Sequence, residues 1–374
     1  MKVPQLTFTR FLAALLIVVY HVPSQTLHRL PVVGTLLPKA NAAVSYFFLL
    51  SGFILIVSSV RDGKLPPFIA PKPFWNNRFA RIYPLYAFAL GLTWALARLL
   101  PQTGIRGADS VPIGTANALL VQAWVPNWSQ TLNYPGWSLS VEALFYALFP
   151  PLYRLLVRLS SKQLVYVSVA FWLVSLLAQV AGINAGLPVT FTLYFPLFHL
   201  STFVGGMATG IVLVRHYATF ATYRTVVGWA LLGLTGVFAG LTLGGSPIMD
   251  YHHNGLLAPL FSALVISLTL AGGRLARWLS RPALVRLGEI SYGIYLLQVP
   301  VGMLAWFLNE RYVHLGPGPY FVAYVGGLLL VSEAAHAGIE LPAQRWLRRR
   351  LNGGSSPGAP LADSSRSAVP ATDR

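Results

Sequence analysis

Arg10 and His21 bracket an apolar run, Phe11 to Tyr20. An imidazole titrates near neutral pH and suits proton removal from a hydroxyl. A guanidinium is a fixed cation whose forked donors match carboxylate or phosphate oxygens. On an α-helix, eleven steps of ~100° return residue 21 to within ~20° of residue 10 and raise it about 16 Å. The two side chains would share one stripe, with Ile17 between them. Across a ~30 Å hydrocarbon core, Arg10 would sit at one rim and His21 near the middle. Ionisable groups at that depth are expensive and point to function. The pair therefore suggests a path from a membrane surface to a buried site.

Three further groups of residues could do chemistry. Ser138, Glu142 and Tyr146 fall at i, i+4 and i+8, on one helix face. That stripe reads either as a helix start with an aromatic belt or as the polar wall of a cavity. Arg78 and Arg81, at i and i+3, precede Ile82-Tyr83-Pro84. They are expected at a helix start, where free backbone N–H groups favour anions. They would either anchor the chain at the membrane surface or clamp a phosphate. Glu333 and Glu340 could pair with Arg or His. Asp250, His252 and His253 lie in a short loop with no third helical ligand, so no metal site is expected. The absence of cysteine excludes disulfides, thiolate metal sites and a cysteine acyl-enzyme.

The elements that position these residues must be membrane helices. Of 374 residues, 55% are hydrophobic and 10% charged, against about 25% charged in soluble domains. Mean hydropathy is +0.61. The 27 basic and 10 acidic residues give a net charge of +17. In a soluble protein this would suggest nucleic acid; here the cations sit at the ends of apolar runs, and no nucleic-acid partner is expected. Windows long enough to span fall near 8–24, 41–60, 79–100, 137–157, 163–182, 191–214, 225–244, 254–272, 289–308 and 319–341. With the N-terminus inside, all of the 27 cations except Arg29, Lys39, Arg98, Arg106 and Arg311 fall on the cytoplasmic side, as the positive-inside rule requires. The reading is an all-α, polytopic integral membrane protein of about ten transmembrane helices with both termini cytoplasmic. Lys2 before an apolar run resembles a signal peptide, but no small-x-small cleavage site follows, so the first helix is expected to be retained. Residues 116–125 are too short to span. Residues 1–351 form one membrane domain, and the Gly/Ser/Pro/Ala-rich segment 352–374 is expected to be disordered.

Five segments, in order, carry a family resemblance. They are Arg10-Phe11-Leu12-Ala13-Ala14 through His21; Phe47-Phe48-Leu49-Leu50-Ser51-Gly52-Phe53; Arg78-Phe79-Ala80-Arg81-Ile82-Tyr83-Pro84; Trp137-Ser138-Leu139-Ser140-Val141-Glu142; and Gly288-Glu289-Ile290-Ser291-Tyr292-Gly293-Ile294-Tyr295. Together they resemble the membrane acyltransferase-3 family, which O-acylates bacterial surface and exported polysaccharides. The resemblance implies His21 as the catalytic residue, with Arg10 as its essential companion. It implies Arg78 and Arg81 as contacts for a cytoplasmic acyl-CoA. Glu142 is placed with the catalytic residues, and Ser138, Tyr146 and Trp137 with acceptor binding. Two positions depart from the family pattern: Gln298 stands where many relatives have His, and Thr202 where Glu is common. No esterase-like C-terminal domain follows, so transfer is expected from the membrane domain alone.

The expected reaction is O-acyl transfer, O-acetyl in the first instance, in a bacterial inner membrane. No cofactor is tightly bound. Acyl-CoA is the donor, and a polysaccharide or lipid-linked oligosaccharide is the acceptor. His21 acts as general base, and Ser138 or Tyr146 could donate to the oxyanion. A transporter or flippase is the rival, but it should show two related halves with broken helices, and the sequence shows no such symmetry. A second rival makes His21 a structural partner of Glu142.

Overall fold

The computed structural model describes residues 3–21, 37–246 and 253–352. Its ten principal helices are α1 Gln5–His21, α2 Ala42–Ser59, α3 Pro71–Leu99, α4 Trp137–Leu156, α5 Ser161–Asn184, α6 Pro196–Arg215, α7 Arg224–Leu243, α8 Ala258–Thr269, α9 Ser291–Leu308 and α10 Pro317–Ala335. Each expected window yields one of them. Shorter helices at Val111–Ala118, Gly273–Leu279, Pro282–Glu289 and Leu341–Leu351 join or extend them.

The count of spans among the described residues falls short of ten. Among the described residues, eight helices are long and apolar enough to cross a membrane. A ninth arises if α8 and Gly273–Leu279 form one span bent by 101°. Gly272 and Gly273 break that run, and Gly273 has a left-handed φ of 63°. The remaining candidate, α1, has 17 described residues. Of the expected tail, only Asn352 is described, and it is ordered against α3, where its Nδ2 donates to Asn77 Oδ1 at 3.3 Å. Asp250, His252 and residues 353–374 lie outside the described residues.

The centre of the molecule is a seam between α2 and α6. A methyl group at Gly52 would collide with the Phe203 carbonyl, and one at Gly206 with the Leu49 carbonyl. At Gly210 it would stand 2.9 Å from Ile56 Cβ. Small residues let two backbones approach where apolar side chains gain nothing over lipid. Phe145 of α4 stacks on Phe203 with ring centroids 4.5 Å apart, closing the third side. At the periphery, α7 buries only Thr242. The remaining surface of this helix is apolar and open, as expected where lipid replaces core.

The position of α1 is fixed at its start by a close approach. Gly288, in Pro282–Glu289, lies directly under the Thr7 carbonyl, where no Cβ fits. The last described helix, Leu341–Leu351, packs against α3. There Asn76 Nδ2 donates to the Leu351 carbonyl at 3.0 Å.

Candidate active site

The polar residues predicted from sequence fall into two groups, one at each end of the Arg10–His21 stripe. His21 is the last residue of α1. Its Nδ1 lies 3.0 Å from Oε1 of Gln298, on α9. Gln298 Nε2 donates to the Tyr295 carbonyl at 2.7 Å, which fixes the amide with its oxygen toward the imidazole. An amide oxygen only accepts. The network therefore assigns the proton to Nδ1 and the basic lone pair to Nε2. The Gln298 backbone is itself held, by the Tyr324 hydroxyl of α10 at 3.0 Å. Tyr134 packs edge-on to His21, with centroids 4.9 Å apart. Ser138 Oγ and the Tyr295 hydroxyl lie 2.8 Å apart, and each is 3.0 Å from the Pro135 carbonyl.

The other group is built from charges. Glu142 Oε1 accepts from the Tyr146 hydroxyl at 2.7 Å and from Ser51 Oγ of α2 at 3.3 Å. The Arg78 guanidinium lies 5.6 Å from the Phe74 ring centroid and 5.8 Å from that of Tyr146, in cation–π range of both. Its Nε is buried and makes no hydrogen bond among the described residues. Arg10 is repelled by Arg81 and attracted by Glu142 and Glu340. Glu340 Oε2 is in turn 3.0 Å from His336 Nδ1. Arg78 is repelled by Arg81 and by Arg348 of Leu341–Leu351. Four guanidinium groups thus converge with two carboxylates, Glu142 and Glu340. An oxyanion ligand is the natural counter-charge for such a cluster.

Several expectations change here. Arg78 and Arg81 do not stand at a helix start: α3 begins at Pro71, with proline at its first position. Their backbone N–H groups lie beyond the first turn, inside the helical ladder, so anion affinity must come from the side chains. His21 does not bond Glu142. Its partner is Gln298, while Glu142 is held by Tyr146 and Ser51, so the structural rival loses its contact. The Ser138–Glu142–Tyr146 stripe is divided, with Ser138 in the His21 group and the other two at the arginine end. Trp137 faces a third side. It stacks on His253 at 5.2 Å and packs against His199, Tyr194 and Phe48. Glu333 pairs with Arg286, whose Nε lies 3.0 Å from Oε2. No group of three or more metal-ligating side chains occurs among the described residues.

Sequence reasoning missed Tyr134 and the Gln298 contact. Gln298 had been noted only as a departure, and Tyr134 carries no pattern. Ser51 and Tyr295 stood inside quoted motifs without an assigned role.

Fold and site together define a multi-pass membrane protein with an imidazole-bearing polar cluster and a cationic cluster connected along one helix. Residues 3–335 match the family model Acyl_transf_3, described as an acyltransferase domain, and the chain belongs to that family. It is 27% identical to "Acyltransferase MdmB" of Streptomyces mycarofaciens over 93% of both chains. It is 31% identical to "Exopolysaccharide production protein ExoZ" of Rhizobium meliloti, covering 83% of this chain and 91% of that one. It is 24% identical to "O-acetyltransferase OatA" of Staphylococcus aureus over 91% of its length, and this alignment covers 57% of the longer relative. No solved structure matches the chain.

Proposed function

We propose that the protein transfers an acyl group, an acetyl group in the first instance, from acyl-CoA to a hydroxyl of an exported or lipid-linked glycan. The observation that carries this reading is the Gln298–His21 bond, which leaves a basic Nε2 about 16 Å along α1 from a cluster of guanidinium groups. A donor whose phosphates and reactive carbonyl lie at opposite ends of a long, thin molecule matches that separation. Arg78, Arg81 and Arg10 hold the phosphates. His21 Nε2 takes the proton from the acceptor hydroxyl as its oxygen bonds to the thioester carbon. The C–S bond breaks, and the imidazolium returns the proton to the departing thiolate. Ser138 and Tyr295, in the His21 group, are the hydroxyls suited to meet the oxyanion. Glu142 balances Arg10 and orients Tyr146. The names of two relatives, an O-acetyltransferase and an exopolysaccharide production protein, agree with this chemistry.

Under the positive-inside rule the arginine end faces the cytoplasm of a bacterial inner membrane. The chain has no cysteine, so Asn352→Cys would carry the sole thiol. A membrane-impermeant maleimide should label it in inverted vesicles and not in intact spheroplasts; the opposite result would reverse the donor route. The reaction itself is tested by radiolabel transfer from acetyl-CoA to host glycan in purified membranes. Transfer should occur with the wild type and vanish in His21→Ala and His21→Gln alike. Substantial transfer by His21→Gln would remove the general-base role.

A further inference from the structure

A cavity of about 560 Å³ opens in the irregular segment between α3 and α4. Arg106, Asp109, Ser110, Asn127, Trp128 and Thr131 line it. Its walls are held in uncommon backbone. Asn127 has φ 69° and Gly107 φ 88°, and Leu132, next to Thr131, has φ 51°. Left-handed conformations at non-glycine residues persist where the surroundings enforce them, and they gather at ligand sites. Here they are enforced: Leu132 N–H donates to the Arg106 carbonyl at 2.9 Å. Thr131 Oγ1 donates to the Trp128 carbonyl at 2.6 Å and accepts from Asn117 at 3.1 Å.

We infer that this cavity is a subsite for one pyranose ring of the acceptor glycan, with the Trp128 indole as its platform. The indole makes no ring contact among the described residues, whereas Trp137 lies inside an aromatic cluster. An aromatic face flanked by a few fixed polar groups is the surface that a sugar needs, with CH groups on the ring and hydroxyls at the rim. The rim is supplied. Asn127 Oδ1 is taken by Thr190 Oγ1 at 2.9 Å, which turns the amide donors outward. Ser110 Oγ accepts from the Ile113 N–H at 3.4 Å and keeps its own proton to give. Arg106 has no ion pair among the described residues, while Asp109 is shared with Arg98.

Distance assigns the subsite its role. Thr131 in the cavity wall and Tyr134 against His21 are three residues apart, so their Cα atoms are at most about 11 Å from each other. The short chain span keeps a ring on Trp128 near the sugar being acylated, and His21 does not line the cavity, so that ring is not the reacting one. The subsite positions acceptor without touching the reacting atoms.

The inference rests on the acyltransfer reading, and two measurements separate their failures. The probe is polysaccharide from the native host, freed of O-acyl groups with mild base. Saturation-transfer NMR on the purified full chain should show contact to sugar CH protons in the wild type and in Trp128→Tyr, and loss of contact in Trp128→Ala. In membranes with labelled acetyl-CoA, Trp128→Ala should raise the glycan KM about tenfold while the acetyl-CoA KM stays unchanged, and Trp128→Tyr should restore it. Glycan contact without label transfer in the wild type would sink the reaction and leave the subsite standing. No glycan contact in the wild type, or unchanged glycan contact and KM in Trp128→Ala, would overturn the subsite.

Discussion

The two ends of α1 are organised on opposite principles. At His21 the groups are neutral, and direction is set by hydrogen bonds whose donors and acceptors are assigned, from Tyr324 through Gln298 to the imidazole. At Arg10 the groups are ionic, and like charges are held together: Arg81 repels Arg10, and Arg348 repels Arg78. A neutral network specifies where a proton sits. A cluster of four guanidinium groups and two carboxylates carries an excess of positive charge suited to an oxyanion. Loss at the first end should act on the chemical step, and loss at the second on donor affinity.

The sharpest break comes from His21→Ala. Transfer should fall about 10²- to 10⁴-fold, the scale of a general base, with acyl-CoA affinity in equilibrium binding unchanged. Arg78→Ala should do the reverse. Removing one charge-assisted contact costs about 1.5–3 kcal/mol, or roughly 10- to 150-fold in donor affinity. The loss should shrink as salt is raised in a titration. Gln298→Leu should lower turnover by about five- to tenfold, the value of one hydrogen bond, by freeing the imidazole tautomer without moving the acetyl-CoA KM. Ser51→Ala is the mildest case. Tyr146 still bonds Glu142, so donor affinity should change by no more than about fivefold in the same assay. Equal effects on turnover and donor binding from His21→Ala and Arg78→Ala would abolish the distinction between the ends.

The helices were legible because apolar runs of this length have few alternatives. Their burial was not. The windows containing α2 and α7 have nearly equal mean hydropathy, 2.0 and 1.9, yet 78% of the first and 6% of the second is buried inside the protein. Lipid and protein interior are both apolar, so hydropathy cannot separate them. Gly52, Gly206 and Gly210 held the missing information. The start of α3 was misplaced for a related reason. Lys72, Asn76, Asn77 and Arg78 depress hydropathy, but Pro71 opens a helix and buried Phe74 anchors its first turn. For the candidate site, residue type and spacing singled out His21, Arg10, Arg78 and Glu142, which the structure places in two separate clusters. Gln298 stayed hidden because its role depends on a contact 277 positions away in the chain.

The mounting of α1 makes it a ruler that measures phase as well as length. It is seated at Thr7 over Gly288 and tied at His21 to Gln298, and both anchors belong to the continuous run formed by Pro282–Glu289 and α9. One residue inserted between Leu12 and Ala13 would lift the imidazole only ~1.5 Å but swing it ~100° about the helix axis. The two anchors could then no longer be satisfied at once. The apolar side chains between Arg10 and His21 can be exchanged for others of similar size, whereas the number of residues cannot.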